Sequence, residues 1–405
     1  MQHLEHNNIL YSKQHGFRRN HSCETQLLLT IEDLGKNLDE GYEVDLQIFD
    51  FSKAFDKVPH QRLLSKLNYY GIQGKTLAWI NFWLTERIQR VVVDGEASSF
   101  VKVTSGVPQG TVLGPLMFLL FINDIHENLD STLRLFADDA LLYRSINTMN
   151  DTIILQNDID KLVSWSKTWQ MQFNVTKCHT MKISRKKEPV LIDYYIDGQK
   201  LSPVKNHPYL GVMLSNDLRW NSHVENIVVK ANKSLGFVRR NLYPCSERTK
   251  RSAYVTIVRP KLEYATAVWD PYRQEQIDSI EAVQRRAARF IKRDYKRTSS
   301  VTEMLQSLDL DLLEDRRKAH RLNIFYLAVN NSIALPIPDY FSPKQRFTRS
   351  FSNDSFIQAN CNHDYYFYSF YPRAIRDWNS LPSGIRTSVN FSSFKDHCFS
   401  VIRNN

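Results

Sequence analysis

The chain has 405 residues, with 53 lysines and arginines against 43 aspartates and glutamates, and its formal net charge is +10. A hydrophobic content of 42% and a charged content of 24% are typical of globular proteins, which excludes a fibrous or wholly disordered chain and allows two or three domains. The longest apolar stretch, residues 112–122, is shorter than the roughly 20 residues that span a bilayer, so we expect no membrane contact.

The N-terminus and the cysteines bear on the cellular compartment. The first residues lack the basic start and the apolar centre of a secretory signal. The five cysteines are odd in number and scattered, and none of them lies at zinc-site spacing from another cysteine or a histidine. We therefore expect a reducing, intracellular location, in the nucleus or the cytoplasm, and no zinc cluster.

The first half of the chain alternates between strand and helix patterns. An alternating strand starts at Val44 and ends at Asp50, where a turn leads into a helix. Apolar spacing predicts a short helix from Leu63 and an aromatic-rich helix over residues 77–84. The β-branched runs on both sides of a turn at residues 94–95 predict a hairpin.

The segment over residues 133–143 is apolar on both sides of Asp138 and Asp139, which predicts a hairpin with both acids at its tip. Further patterns predict a helix over 149–170, a hairpin around 197–198 and a third strand over 209–214.

Beyond residue 216 the strand patterns stop. Helical spacing covers residues 223–242, 247–268, 274–292 and 301–330. We expect Pro260 to kink or break the second of these helices, because proline lacks the N–H group that a helix interior needs.

Three acids stand where they could carry chemistry: Asp50 at the end of a strand, and Asp138 and Asp139 at the hairpin tip. Adjacent acids are common in a chain with 43 of them, and a solvated turn is the simplest interpretation. However, ionised carboxylates between buried strands repel each other unless a cation neutralises them. Asp50 beside the pair would complete an oxygen site suited to Mg²⁺, and two such ions could serve a nucleotidyl transfer.

A loop with two glycines, Gly106-Val-Pro-Gln-Gly110, lies between these acids and precedes an apolar run with Pro115 near its start. One interpretation is an ordinary loop before a buried helix. The other is a bare backbone that lies close to a template base and an incoming nucleotide, where side chains would clash.

Three motifs, in this order and at these separations, resemble the reverse transcriptases of non-LTR retrotransposons, especially the jockey-like group. They are Phe49-Asp-Phe-Ser-Lys-Ala-Phe-Asp-Lys-Val, Gly106-Val-Pro-Gln-Gly-Thr-Val-Leu-Gly-Pro and Phe136-Ala-Asp-Asp. Further similar segments are Gln14-His-Gly-Phe-Arg, Asn174-Val-Thr-Lys, Tyr209-Leu-Gly-Val, 284–291 and 371–382. The resemblance therefore covers nearly the whole chain.

This resemblance implies an α+β right-hand polymerase fold with partial fingers, a palm with an antiparallel sheet and a helical thumb, followed by a helical C-terminal region. The implied domains are partial fingers over 1–45, a palm over 46–215 with a fingers insertion near 61–104, a thumb over 216–297, and a helical region with an aromatic tail over 298–405. The family normally has more fingers residues upstream, including an arginine that neutralises the nucleotide triphosphate. We expect that neither Arg18 nor Arg19 takes that role.

The resemblance also implies the catalytic residues. Asp50, Asp138 and Asp139 would be the acid triad and, with the backbone carbonyl of Phe51, would bind two Mg²⁺ ions, for which Mn²⁺ could substitute. Lys177 corresponds to a proposed general acid for the pyrophosphate leaving group, although a lysine after a strand is more often a solvated surface residue.

Substrate contacts are implied in the same way. Phe55 matches an aromatic residue that packs under the nucleotide sugar and rejects a 2′-hydroxyl, although by itself it reads as a core phenylalanine. Gln109 and Gly110 match a loop that contacts the pair of template base and nucleotide. The implied primer grip consists of Tyr209, Leu210 and Gly211.

Basic residues cluster over 285–297. On a continuous helix, Arg285, Arg289, Lys292 and Lys296 would share one face, opposite apolar residues. The cluster is either a solvated helix face or a surface that binds a nucleic-acid backbone, and its place after a polymerase-like palm favours the second interpretation.

The expected function is RNA-directed DNA synthesis for a mobile element, with an RNA template, a DNA primer and dNTPs as partners, whereas no protein partner can be inferred. The alternative is a polymerase relict that only binds nucleic acid. The intact acids favour the enzyme, and the missing upstream fingers favour the relict. An RNA-dependent RNA polymerase is disfavoured by Phe55.

Overall fold

The computed structural model describes residues 2–187, 189, 192–341, 355–358 and 360–404. The chain divides into two compact units. The first contains Met1–Gln26 and Tyr42–Lys205, and the second contains Leu27–Gly41 and Asn206–Asn405. No helix within the described residues is long and apolar enough to cross a membrane.

The first unit is built on a five-stranded sheet. Its elements are α1 (Gln2–His6), the start of α2 (Cys23–Asp39), β1 (Glu43–Phe49), α3 (His60–Tyr69), α4 (Gly74–Thr85), β2 (Ile88–Gln89), β3 (Val92–Val93), β4 (Glu96–Ala97), β5 (Val101–Lys102), α5 (Leu113–Ile122), β6 (Thr132–Phe136), β7 (Asp139–Ile146), α6 (Met149–Trp169), β8 (His179–Ile183), β9 (Tyr195–Ile196), β10 (Gln199–Lys200) and β11 (Ser202–Pro203). The strand order is β11-β8-β1-β7-β6, antiparallel except for the short β11–β8 pair.

β1 is the central strand, and all of its residues are buried. It pairs with β7 on one side and β8 on the other, so every backbone group along it has a potential partner. The negative charge of Asp45, a buried acid of β1, is compensated. Its carboxylate lies 2.8 Å from the Lys182 ammonium and accepts a hydrogen bond from the Tyr194 hydroxyl. The predicted strand from Val44 to Asp50 is confirmed in position, although β1 ends at Phe49 and both of its faces are buried rather than alternating.

A buried lysine joins three helices of this unit. Lys66 of α3 is 3% exposed, donates to the Phe121 carbonyl of α5, and pairs with Asp124. Its ammonium nitrogen lies 3.7 Å from the ring centre of Trp169 in α6, a favourable cation–π geometry. Burial lowers the pKa of Lys66 to about 8, although Asp124 opposes the shift.

The hairpins of the first unit agree with the sequence patterns. β2 pairs with β5 and β3 with β4, on both sides of the turn at 94–95. β9 and β10 pair around Asp197 and Gly198, which both have positive φ. The predicted β6–β7 hairpin is present, with Asp138 in its turn and Asp139 as the first residue of β7.

The second unit is mainly helical. Its elements are the rest of α2, β12 (Asn206–Tyr209), β13 (Val212–Ser215), α7 (Asn221–Leu242), α8 (Glu247–Ala253), a π-helical turn (Tyr254–Val258), α9 (Pro260–Glu263), α10 (Thr266–Trp269), α11 (Gln274–Lys292), α12 (Val301–Ser307), α13 (Leu313–Val329), α14 (Asp364–Phe367), α15 (Phe370–Ser380), α16 (Ser383–Arg386) and α17 (Phe391–Asn404). The predicted α+β composition, with a mainly antiparallel sheet, is confirmed.

Three sequence-based expectations about this unit needed correction. A single strand over 209–214 is wrong, because Leu210 and Gly211 have positive φ and turn the chain into the β12–β13 hairpin. The helix expected over 301–330 is interrupted between α12 and α13, where Asp309 has positive φ. The helix expected over 247–268 has a π-helical turn just before Pro260, where the backbone stays right-handed, and it breaks at Tyr264 and Ala265, which are extended and left-handed.

A buried ionic cluster stabilises the second unit. Asp270 accepts a 2.7 Å hydrogen bond from Arg317, and it also pairs with Arg321 and Arg373. Burial opposes the ionisation of Asp270, but the three guanidinium groups outweigh it and lower the pKa of Asp270. Removal of one partner from such a cluster would leave an uncompensated buried charge.

Glu32 of α2 is a second buried acid, 5% exposed, and it accepts hydrogen bonds from the hydroxyls of Tyr340 and Tyr366. Burial raises the pKa of Glu32 to about 7 from a usual value of 4.5, although the two tyrosines and Lys36 oppose the shift. The folded chain therefore binds this proton more tightly than the unfolded chain does.

The raised pKa of Glu32 predicts a pH-dependent stability. The stabilisation that this proton provides is complete below about pH 4.5 and is lost as the pH rises through about 7, so the free energy of unfolding should fall over that range by roughly 2–3 kcal/mol more in the parent chain than in Glu32→Gln. Urea denaturation at pH 5 and pH 8 measures this difference. Glu40→Gln, which changes an exposed acid near the same helix, is the control, and equal pH dependence in all three chains would contradict the prediction.

Candidate active site

Asp50 lies at the sheet edge that also contains the β6–β7 turn. β1 runs antiparallel to β7 with Phe49 opposite Ala140, so the next residues, Asp50 and Asp139, are neighbours. The Asp50 carbonyl accepts a 2.7 Å hydrogen bond from the N–H of Asn174. The structure therefore brings Asp50 beside the Asp138–Asp139 pair, as predicted from the strand patterns.

The turn between β6 and β7 is tight and strained. Phe136 pairs with Asp139, so Ala137 and Asp138 alone form the connection. Ala137 has a φ of +53°, a conformation that costs an L-residue with a Cβ about 1 kcal/mol or more. Such a turn persists only if its surroundings hold it.

Gln14 holds this turn through three side-chain hydrogen bonds, which together form the Gln14 clamp. Its side chain is 2% exposed, and its Oε1 accepts from the N–H groups of Ala137, at 2.8 Å, and Gly16, at 2.7 Å. Its Nε2 donates to the Ala137 carbonyl at 3.3 Å. A Cβ on Gly16 would lie 2.3 Å from the Ala137 nitrogen, so only glycine allows this approach. The Gln-x-Gly spacing was visible in the sequence, but its contact with the acidic turn was not.

Arg18 is also structural in this unit. Its guanidinium donates to the carbonyls of Tyr11, at 2.8 Å, and Gln14, at 3.1 Å. Arg19 is exposed. Arg18 therefore stabilises the segment that contains Gln14.

Partial burial and mutual repulsion favour either the protonation of these acids or the binding of a cation beside them. Although the Asp139 side chain reaches solvent, partial desolvation, followed by the charges of Asp138 and Asp50, raises its pKa to about 6. Burial and the Asp50 charge also raise the pKa of Asp138, although a backbone N–H opposes the shift. Negative charge is therefore in excess at this edge of the sheet.

Carboxylate oxygens in excess are the donor chemistry that suits Mg²⁺. Among the residues that the structure describes, no three acidic, histidine or cysteine side chains converge as a complete metal-binding set. An ion held by these acids would therefore need water or substrate oxygens as further ligands, which is the usual situation of Mg²⁺.

Lys177 supplies one positive charge to this edge. Its ammonium nitrogen lies 3.6 Å from Asp50 Oδ2, and the two side chains are 66% and 37% exposed. An ion pair this exposed contributes little stability. Its position fits the expected role, whereas its exposure also fits a solvated lysine.

The two phenylalanines after Asp50 are placed differently. Phe51 is buried, and its ring stacks on Phe173 with the ring centres 4.6 Å apart. Phe55 is half-buried and stacks on Phe118 of α5 at 4.4 Å, and its ring also faces the exposed Phe17 edge-on. One face of the Phe55 ring therefore packs in the core, as expected of a core phenylalanine. Part of the side chain remains accessible to solvent.

The loop that begins at Gly106 is attached to the segment after Asp50. Gly106 has a φ of +86°, and a Cβ there would lie 2.8 Å from the Asp56 Cα, so no other residue fits. His60 and Arg87 each donate to the Gly106 carbonyl at 2.9 Å. Neither residue was identified from the sequence, because only the folded chain brings them to this carbonyl.

Gln109 and Gly110 are both exposed at the end of this loop. Gln109 donates to the Asp56 carboxylate at 3.0 Å, and Gly110 has a φ of +76°. The loop and the segment that carries Phe55 therefore form one connected surface.

The remaining expected site residues belong to the second unit. Tyr209 is buried at the end of β12, and Leu210 and Gly211 form the hairpin turn. Arg285, Arg289 and Lys292 lie on α11.

The predicted position of Lys296 on the face of α11 is wrong. The helix ends at Lys292, and Arg293 adopts a left-handed conformation with a φ of +55°. Arg289 then donates to the Lys296 carbonyl at 2.9 Å. The chain therefore turns back, and Lys296 follows the helix rather than extending its basic face.

Residues 1–214 match a family model described as reverse transcriptase (RNA-dependent DNA polymerase). The chain is 28% identical over 334 residues to the probable RNA-directed DNA polymerase from transposon BS of Drosophila melanogaster, covering 77% of this chain and 36% of that protein. It is 26% identical over 328 residues to the RNA-directed DNA polymerase from mobile element jockey of the same species, with the same coverage. The chain thus spans about a third of the length of these relatives.

A comparison with solved structures gives a distant likeness. A telomerase from Candida albicans, in complex with a fragment of telomeric RNA, aligns over 82% of this chain and 50% of its own, with 11% identity and a TM-score of 0.41.

The contacts of Gln14 predict its importance for the acidic turn. Gln14→Ala would leave the N–H groups of Gly16 and Ala137 without their acceptor, and we expect the free energy of unfolding to fall by about 2–4 kcal/mol. Urea denaturation measures this change. The control is Gln61→Ala, an exposed glutamine of α3 in the same unit, which should change the free energy by less than about 0.5 kcal/mol. Equal stabilities of the two variants would show that the Gln14 clamp does not stabilise the acidic turn.

Proposed function

Because the chain belongs to the reverse transcriptase (RNA-dependent DNA polymerase) family, we propose that it extends a DNA primer on an RNA template with dNTPs, for a mobile element. The observation that carries this proposal is the placement of Asp50 beside the Asp138–Asp139 turn at one end of neighbouring strands, where partial burial and neighbouring negative charge raise the pKa of Asp138 and Asp139. The proposal keeps the expected palm over 46–215, with its insertion near 61–104, and the thumb over 216–297.

The proposed metal ligands are the carboxylates of Asp50, Asp138 and Asp139 and the backbone carbonyl of Phe51. Two Mg²⁺ ions, or Mn²⁺ in their place, would when bound activate the primer 3′-hydroxyl and offset the charge of the leaving pyrophosphate. The chain's own contribution is to hold the acids close together against their repulsion, through the Gln14 clamp on the turn. Lys177, beside Asp50, would donate a proton to the leaving group.

The nucleotide would lie against Phe55 and the loop at Gln109 and Gly110. The hydrogen bond between Gln109 and Asp56 links that loop to the segment of Phe55, so both would move as one surface. Phe55 would exclude a 2′-hydroxyl from the sugar position, because its stacking on Phe118 leaves its ring little freedom to withdraw.

In the second unit, Tyr209, Leu210 and Gly211 would grip the primer, and α11 would contact the nucleic-acid backbone. Arg285 is exposed and Arg289 and Lys292 are partly exposed on α11, whereas its other face is buried. A basic face backed by an apolar one fits a phosphate backbone, which is read by shape and charge rather than by base sequence.

Primer extension on an RNA template tests the catalytic proposal. The parent chain should extend the primer with dNTPs and Mg²⁺, and Asp138→Asn should reduce the rate by at least about 100-fold, because a carboxamide keeps the shape but not the charge. Asp130→Asn, at an acid with a 68% exposed side chain, is the matched control and should keep the parental rate. No extension by a parent chain that still binds template–primer would reject the enzyme and favour a relict that only binds nucleic acid.

Binding measured against salt concentration tests the basic face. Charge reversal of Arg285, Arg289 and Lys292 should weaken binding to all template sequences alike and reduce the slope of log K against log salt by up to about 3, roughly one for each lost phosphate contact. Reversal of the exposed Lys395 on α17 is the control. An unchanged salt slope in the triple variant would refute the role of this face.

A further inference from the structure

The tip of the β12–β13 hairpin is a strained two-residue turn. Tyr209 pairs with Val212, so Leu210 and Gly211 alone reverse the chain, with φ values of +45° and +83°. Glycine adopts this conformation freely, whereas leucine in it is strained. The tip therefore needs a contact from elsewhere to keep this geometry.

Tyr264, between α9 and α10, makes that contact. Its hydroxyl donates a 2.9 Å hydrogen bond to the carbonyl of Leu210. A Cβ on Gly211 would lie 2.9 Å from Cε1 and 3.4 Å from Cζ of the Tyr264 ring, so the ring lies directly against the glycine backbone. Both residues of the turn are thus in contact with one tyrosine.

The backbone of Tyr264 is itself held firmly. The indole N–H of Trp269, a fully buried residue, donates to the Tyr264 carbonyl at 2.8 Å. The next residue, Ala265, is buried and left-handed, with a φ of +51°. Tyr264 therefore projects from a rigid break between two helices rather than from a free loop.

The base of the hairpin is held separately from its tip. The N–H of Met213 donates to Nδ1 of His223 in α7 at 3.1 Å, and the Ser215 hydroxyl donates to the Arg219 carbonyl at 2.6 Å. Burial lowers the pKa of His223 to about 4, so this ring stays neutral and can accept. Loss of the Tyr264 contact would therefore loosen the tip while the hairpin stays attached.

We infer that Tyr264 is a positioning residue, which sets the conformation of the Leu210–Gly211 tip and, through it, the placement of the primer 3′ end. This inference rests on the proposed function, in which the tip belongs to the primer grip. Tyr264 need not touch the reacting atoms, because its hydroxyl is used by Leu210 and its ring covers Gly211. Its effect should appear in the rate of extension rather than in the affinity for template–primer.

Tyr264→Phe tests the inference, because it removes the hydroxyl and keeps the ring. Tyr243→Phe is the matched control, since Tyr243 is 59% exposed in the same unit. Amide hydrogen exchange over residues 209–212 should become about five- to tenfold faster in Tyr264→Phe, the effect of one lost hydrogen bond, and should not change in the control. The melting temperatures of the two variants should differ by no more than about 2–4 °C, because a single hydrogen bond of an exposed side chain is lost.

Single-turnover primer extension, at saturating template–primer and dNTP, gives the functional measurement. Tyr264→Phe should lower the extension rate by about five- to tenfold with an unchanged dissociation constant for template–primer, and the control should match the parent chain. Gly211→Ala, which pushes the ring away, should cause a loss that does not add to that of Tyr264→Phe.

The outcomes separate the two proposals. If the parent chain extends primers and Tyr264→Phe equals it in exchange and in rate, the positioning role is wrong and the proposed function stands. A loss that appears only in template–primer affinity would also overturn the positioning role. If the parent chain extends no primer, the proposed function fails and the placement of the primer end fails with it.

Discussion

The repulsion among three carboxylates at one edge of a sheet is the constraint on which the first unit depends. Burial and neighbouring charge raise the pKa of Asp138 and of Asp139, so the chain must supply the free energy that keeps these acids together. It does so with the fully buried central strand β1 and with Gln14, whose side chain makes three hydrogen bonds around the acidic turn. The glycine at position 16 is required because the clamp leaves no space for a side chain.

The surroundings of the acids are made rigid by contacts that reach far along the chain. The loop at Gly106 is attached to α3 and to the segment of Asp56, and Lys66 connects α3, α5 and α6 at the centre of the unit. Burying a lysine is unfavourable unless a carboxylate, carbonyls and aromatic rings compensate its charge, and all three are present. The candidate site therefore rests on a scaffold in which polar groups are paired inside the core.

The second unit uses the same principle with the opposite balance of charge. One buried aspartate, Asp270, faces three arginines, and burial raises the pKa of Glu32 to about 7 although two tyrosine hydroxyls donate to it. Against this fixed interior, the features proposed to meet nucleic acid are local: a basic helix face on α11 and a strained hairpin tip held by Tyr264. The tip is a two-residue turn that contacts Tyr264, and the basic side chains of α11 lie on its accessible face, which explains why small changes there should alter function more than stability.

The sequence by itself determined the family, the three acids and most element positions. Motif order and hydrophobic periodicity depend only on the order of residues along the chain, so they can be recognised without the fold. The resemblance to the reverse transcriptases of non-LTR retrotransposons is confirmed, and strand β1, the acidic hairpin and helix α11 lie where the patterns predicted. Only the tertiary structure revealed the clamp of Gln14, the contacts of His60 and Arg87 with Gly106, the turn that removes Lys296 from α11, and the contact of Tyr264 with the hairpin tip. Each of these joins residues that are distant in sequence or depends on a single positive φ, and neither kind of information is present in periodicity.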